Sequence, residues 1–324
     1  MLLKPFSFTD GFLIISQEEA FLVTDFRYYE EALAAVSSLF SVVMPKNRME
    51  FLKGVVKEKG FKSIGYENRT LSVSSFNRYS EAVSAEWAPV GDILAEMRTT
   101  KSEAEIANIK EAQSITDKAF SHILSVLTPT MTEKDVALEL EFFMRKNGAE
   151  GASFEIIAVS GAASALPHGK SRAIPLCKGF LTMDFGCTVG GYCSDMTRTV
   201  VIGKADEEMK RVYNTVLAAQ TAAIKSARPG MTGGELDKVA RDIIDNAGYK
   251  GAFGHGLGHG VGLDIHEAPS VSGESRLKAG AVITVEPGIY LMGKYGCRIE
   301  DMGVLTADGF ENFTKSTKEL IELF

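Results

Sequence analysis

Four carboxylates and one imidazole, Asp184, Asp195, Glu286, Glu300 and His259, give the second half of this chain a donor set sized for two divalent cations. Asp184 stands in L-T-M-D-F-G, Asp195 in G-Y-C-S-D-M-T-R-T, His259 in G-H-G-L-G-H-G-V-G, Glu286 in V-E-P-G and Glu300 in C-R-I-E-D. Four negative charges offset two ions of charge +2 and leave a neutral His as the fifth ligand, an oxygen-rich set suited to hard-to-borderline metals. Paired ions of this kind lower the pKa of bound water towards about 7 and clamp reacting oxygens, so the expected chemistry is hydrolysis. His168, His255 and His266 lie in the same half, each beside Gly, Pro or an acidic residue, and only His122 lies in the other.

The elements that must position these groups are two hairpins and a glycine run. Gly190-Gly191 marks a turn between two β-rich runs. A hairpin centred between Val189 and Gly190 sets Asp184 directly opposite Asp195, with Cβ atoms roughly 4.5 to 5.5 Å apart. Like charges at that separation repel unless cations sit between them. Glu286 and Glu300 are symmetric about Gly293, so a second hairpin repeats the arrangement and the four acids converge on one concave face. Around His259, the glycines at 254, 256, 258, 260 and 262 allow close backbone approach. No register of that run satisfies G-x-G-x-x-G, which argues against dinucleotide binding. Any one of these acids alone reads equally as a solvated strand-end residue; five ligands in mutually consistent hairpins favour the metal site.

At 324 residues, with 45% hydrophobic and 24% charged content, the chain has an ordinary globular composition and room for two domains. Its 35 basic and 42 acidic side chains give −7, which argues against nucleic acid or an anionic membrane surface as partner. Met1–Phe6 lacks an apolar signal core and no run of 18 apolar residues occurs, so the expectation is a cytoplasmic protein. Cys177, Cys187, Cys193 and Cys297 show no Cys-x-x-Cys spacing and read as reduced thiols. Residues 1–97 alternate β-rich runs (12–15, 20–23, 62–66) with a helical stretch, Tyr29 to Leu39, and read as a small α/β domain. From 98 to 324 a second domain begins with a capping box, Ser102-x-x-Glu105, opening a helix to about Leu127 with Ile106, Ile109, Ile115, Ala119, Ile123 and Val126 on its buried face. Thr128-Pro129-Thr130-Met131-Thr132 recurs as Arg228-Pro229-Gly230-Met231-Thr232, each before an amphipathic helix ending at Gly148 or Gly248. That repeat predicts an α+β domain of two pseudo-symmetric units, with helices covering one face of a sheet.

The motifs D-F-G, S-D-M-T-R-T, H-G-x-G-H-G-V-G-L-D-x-H-E, E-P-G-x-Y and R-I-E-D, in that order, resemble the prolidase and aminopeptidase P branch of the pita-bread metallopeptidases over residues 98–324. The first 97 residues resemble the family's creatinase-like N-terminal domain more loosely. The resemblance implies a pita-bread catalytic domain, a homodimer, and hydrolysis of peptides with proline in second position. It also implies two divalent ions, Mn2+ foremost with Co2+ or Zn2+ as alternatives. Carried over by position, Asp184 chelates one metal, Asp195 and Glu300 bridge both, and His259 and Glu286 complete the other. A hydroxide attacks the scissile carbonyl while Glu286 shuttles its proton towards the leaving nitrogen. His168 stabilises the tetrahedral intermediate, His266 lies near the carbonyl or leaving nitrogen, and His255 and Arg298 line the pocket for the C-terminal residue.

Each of these roles has a plainer competitor. His168 and His266 could instead orient ligands, His255 could serve only as a hydrogen-bond donor in the glycine loop, and Arg298 could pair with Asp301 or another acid. Tyr192 and Tyr290 read as core packing. Among functions, the leading expectation is a dipeptidase cleaving Xaa-Pro; an aminopeptidase P acting on longer peptides shares nearly every motif. A catalytically silent peptide-binding module is the rival from another class, disfavoured because all five ligands are kept.

Overall fold

A computed structural model of the chain describes residues 10–324. The Met1–Phe6 segment read above for a signal core lies outside the described residues. The chain divides into two compact units between Leu94 and Ala95.

In the first unit, β1 (Phe12–Ile15) and β2 (Ala20–Val23) pair antiparallel, and β3 (Ser41–Val43) joins β2 in parallel after α1 (Tyr29–Val36). Then come α2 (Arg48–Lys59), β4 (Ser63–Tyr66), α3 (Val73–Ala82), β5 (Glu86–Pro89), parallel to β4, and α4 (Gly91–Thr99), which runs on into the second unit. The Asn47 side chain accepts from the Met49 and Glu50 amides to start α2, and Gly60 at φ 65° ends it. Helix α1 stops three residues before the expected Leu39: Ser37 and Ser38 are weak helix formers, and the chain turns to bury Phe40 while leaving Leu39 exposed.

The second unit opens with α5 (Glu103–Val126), held by the expected Ser102/Glu105 capping box, and buries Ile109, Ile115, Ala119 and Ile123, although Val126 at its end is exposed. It continues through α6 (Glu133–Lys146), β6 (Gly151–Ala152), β7 (Ile157–Ser160), β8 (Gly179–Phe185), β9 (Cys187–Val189), β10 (Tyr192–Cys193) and β11 (Met196–Ile202). The second half is α7 (Glu207–Ser226), α8 (Gly233–Ile244), β12 (His259–Gly260), β13 (Glu267–Ser270), β14 (Val282–Val285), β15 (Gly288–Leu291), β16 (Tyr295–Arg298), β17 (Asp301–Thr306), β18 (Gly309–Asn312) and β19 (Glu322–Leu323).

The repeat read from the sequence is a structural one. Thr132 and Thr232 cap α6 and α8 with matching boxes to Asp135 and Glu235. Each copy then ties the residue before its cap to a later strand-like segment, Leu176 N–H to Met131 O at 3.0 Å and Leu277 N–H to Met231 O at 2.8 Å. One helix pair, α5 and α6, packs on the sheet β19-β11-β8-β7, and the other, α7 and α8, on β13-β12-β14-β17-β18. Burial of Leu140, Met144, Leu181 and Met183 in one core and of Leu236, Ile244, Ile283 and Val285 in the other contributes about 1.5–3 kcal/mol per large side chain. Among the described residues no helix is long and apolar enough to cross a membrane. All four cysteines are free, and Cys187, Cys193 and Cys297 are buried.

Candidate metal centre

Strand pairing places the five candidate ligands, and for the first hairpin it differs from expectation. Thr197, not Asp195, faces Asp184 across β8 and β11, and Val189 faces Tyr192 across β9 and β10. Gly190 and Gly191 have φ of 52° and 76°, so both are the central residues of a two-residue turn, and the hairpin pivots between them rather than before the first. Asp195 falls in the break between β10 and β11, two residues from Thr197 and still lining the cavity that Asp184 lines. The second hairpin keeps its expected register: Gly288 faces Arg298 and Val285 faces Asp301, with Glu286 and Glu300 between these pairs. His259 is brought in on β12, where Gly258 is required because a Cβ there would lie 2.2 Å from the Thr284 carbonyl oxygen.

The five residues line one cavity of about 540 Å3 together with His168, His255, His266 and Arg298. Asp195, His259 and Glu300 offer ligand atoms all within 4.8 Å of one another. His259 Nε2 lies 3.5 Å from Asp195 Oδ2 and 3.4 Å from Glu286 Oε1. Burial, then the neighbouring His266, pushes the His259 imidazole down to about 4, so it is neutral near neutral pH. Its Nδ1, 3.1 Å from the Gly260 carbonyl, must carry the proton, because a carbonyl only accepts. The Nε2 lone pair therefore faces carboxyl oxygens of Asp195 and Glu286, a convergence of acceptors that only a proton or a cation relieves.

The acids show the same deficit of positive charge. Asp195 is raised well above the ordinary carboxylate range by burial and then by Glu300, Asp184 and Glu286; Glu300 is raised by burial and then by Glu286 and Asp184. Glu286 is raised to about 8, chiefly by burial. Asp184 Oδ1 and Glu300 Oε1 are buried without a hydrogen-bond partner. Orphaned oxygens, a neutral imidazole lone pair and acids that hold protons for want of counter-charge together fit divalent cations.

Arg298 lies on the β16 side of the cavity with its side chain only 4% exposed. Its Nη2 donates to Asp184 Oδ2 at 2.7 Å, Nη1 to Tyr290 Oη at 2.9 Å and Nε to Thr197 Oγ1 at 3.0 Å. The acid it meets is thus Asp184; Asp301 is held by Arg198 at 2.8 Å and Lys318 at 2.6 Å. His255 donates from Nδ1 to the Gly256 carbonyl at 2.8 Å, which leaves Nε2 to accept from Tyr290 Oη at 2.8 Å. His266 sets its ring edge-on to His259, centroids 4.2 Å apart, and both it and His168 are exposed at the open side. His122 serves packing, bonded to Glu139 at 2.6 Å and stacked on Phe143.

Three residues at the centre escaped sequence reasoning. Tyr290, read as core packing, is buried, yet its hydroxyl joins Arg298 to His255, because a buried phenol needs partners. Tyr192 does pack in a core, with its hydroxyl donating to Glu105. The Thr197 hydroxyl meets Glu300 Oε2 at 2.8 Å, and the Thr284 hydroxyl lies 3.2 Å from the His259 amide and 3.5 Å from Glu286 Oε1. The signal was available: each threonine stands two residues from a candidate ligand, Thr197 from Asp195 and Thr284 from Glu286.

Residues 107–307 match the profile of metallopeptidase family M24, and residues 5–100 that of the creatinase/prolidase N-terminal domain. The chain belongs to metallopeptidase family M24. It is 40% identical over 314 residues to the Xaa-Pro dipeptidase of Pyrococcus horikoshii, covering 96% of this chain and 88% of that one. Among solved structures it resembles an Xaa-Pro dipeptidase from Bacillus anthracis at a TM-score of 0.95 and 43% identity, over 98% of this chain and 90% of the other. An X-Pro aminopeptidase from Thermotoga maritima follows at 0.90 and 41%, over 96% and 90%. The fold is accordingly the pita-bread catalytic domain preceded by a creatinase-like domain, and the chain is a metallopeptidase that uses divalent metal ions.

Proposed function

We propose that this chain is a two-metal Xaa-Pro dipeptidase, working with Mn2+ foremost and as a homodimer, the latter supported by its family resemblance. The observation that carries the reading is the convergence of Asp184, Asp195, His259, Glu286 and Glu300 on one cavity walled by a buried guanidinium. When bound, the two ions would be held by these five residues and would supply a water nucleophile near neutrality and polarisation of the scissile carbonyl. The chain's own groups do the rest. Glu286, anchored beside Thr284 and His259, can take up the proton of the attacking water at its carboxylate and deliver it to the amide nitrogen, a poor leaving group unless protonated. His168 and His266, which line the same cavity and are exposed, would hydrogen-bond the substrate carbonyl as charge develops on it.

Purified protein loaded with Mn2+, Co2+ or Zn2+ in turn is expected to cleave Xaa-Pro dipeptides and to leave Xaa-Ala controls largely intact. Absence of any proline-directed cleavage with every metal rejects the proposal. The likeness to an X-Pro aminopeptidase sustains a second reading, removal of the first residue from longer peptides. Comparing kcat/KM for Xaa-Pro with that for longer Xaa-Pro-containing peptides separates the two.

Arg298 is proposed to receive the free carboxylate of a dipeptide. Charge-assisted hydrogen bonds are worth about 1.5–3 kcal/mol, so Arg298→Ala is expected to raise KM for a free dipeptide roughly 10- to 100-fold. Because Arg298 also bonds Asp184, the comparison needs the C-terminally amidated substrate, whose KM should move much less. Equal changes for both substrates would assign Arg298 to the support of Asp184 alone.

A further inference from the structure

Thr197 occupies the position opposite Asp184 to which the spacing had assigned Asp195, and it is fully buried, at 0% exposure. Its hydroxyl lies 3.0 Å from Arg298 Nε and 2.8 Å from Glu300 Oε2. A guanidinium nitrogen only donates, so the Thr197 hydroxyl accepts from Arg298, and its single proton is directed at Glu300 Oε2, which accepts it whenever Glu300 is ionised, as a metal ligand must be. The backbone fixes the same pair of strands: Glu300 N–H donates to Thr197 O at 3.1 Å, and Arg198 Nη1 bonds both Thr197 O at 3.0 Å and Glu300 O at 2.6 Å. Glu300 Oε1, by contrast, is buried and unpartnered, and Glu300 belongs to the close cluster with Asp195 and His259.

We infer that Thr197 is a positioning residue for the metal centre. Its hydroxyl pins one oxygen of Glu300, leaves the other for the cluster with Asp195 and His259, and ties that ligand to the guanidinium of Arg298. The inference rests on the two-metal reading of the site. Valine at 197 keeps the volume but removes the proton donated to Glu300 Oε2 and the acceptor of Arg298 Nε, leaving two buried groups without these partners.

The test titrates metal-free protein with Mn2+ alone, by calorimetry and without peptide. Thr197→Val is expected to weaken Mn2+ binding about 10- to 100-fold, the usual cost of losing a group that orients a metal ligand. Thr197→Ser, which restores the hydroxyl, should return the affinity close to wild type. Thr182→Val, at a buried threonine whose hydroxyl, among the described residues, bonds Thr199 alone at 3.1 Å, should bind like wild type. Undiminished affinity in Thr197→Val overturns the inference, as does a loss that serine fails to restore or that Thr182→Val reproduces. Wild-type protein that binds no Mn2+ overturns the two-metal reading itself and the inference with it. If the valine variant does not fold, Thr197→Ala is measured against the same serine variant, with the same outcomes deciding.

Discussion

Glu286→Gln is expected to lower kcat for Xaa-Pro cleavage by about three orders of magnitude, the middle of the range for loss of a positioned acid–base group combined with a weakened metal ligand. Glutamine matches glutamate in size, so the cavity and the contact with Thr284 survive, while the carboxylate that would carry the proton is gone. A second sign distinguishes this from simple damage. In the metal-free protein Glu286 crowds Asp184 and Glu300, and a neutral amide relieves that repulsion. Metal-free Glu286→Gln should therefore melt at a higher temperature than metal-free wild type at pH 8. Steady-state kinetics at saturating Mn2+ and melting curves in chelator check the two halves; activity within tenfold of wild type would remove Glu286 from the proton path.

The second large effect concerns stability and pH. Glu286 titrates at an ordinary 4.5 in the unfolded chain and at about 8 in the metal-free fold. Between those values the folded state holds a proton that the unfolded state has released, so stability falls as pH rises through this window and is greatest at its acid end. Asp195 and Glu300 shift in the same direction. A displacement of this size corresponds to something on the order of 5 kcal/mol for Glu286 alone. Divalent ions held by these acids would take the place of the protons and remove the penalty. The gain in melting temperature on adding Mn2+ to chelator-treated protein should thus be much larger at pH 8 than at pH 5.5. Scanning calorimetry at the two pH values checks this, and equal gains would mean that the acids do not repel one another in the folded chain.

Local signals were the most legible. The capping box at Ser102 is fixed by residues three apart and survives intact in the fold, and the repeated segments ending at Thr132 and Thr232 become matching helix caps of a two-fold repeat. The second hairpin could be registered because a lone glycine in a turn, Gly293, gives one natural centre. The first could not, because Gly190-Gly191 permits two pivots and only the positive φ of both residues chooses between them. Tyr290, Thr197 and Thr284 were harder still. The Thr197–Arg298 bond spans 101 residues, and its meaning depends on two strands from different halves of the domain meeting at one point. Side-chain chemistry named the ligands, whereas what holds them could be read only once partners distant in sequence were side by side.

The duplicated architecture has a mechanical consequence. Asp184 and Asp195 belong to the first half of the catalytic domain, and His259, Glu286 and Glu300 to the second, each set mounted on its own apolar core. Neither half by itself can saturate a pair of ions. On the two-metal reading proposed above, ions captured across this seam would act as a rivet: loosening one half would release the cargo of both, and the integrity of the whole domain would become a condition of the chemistry.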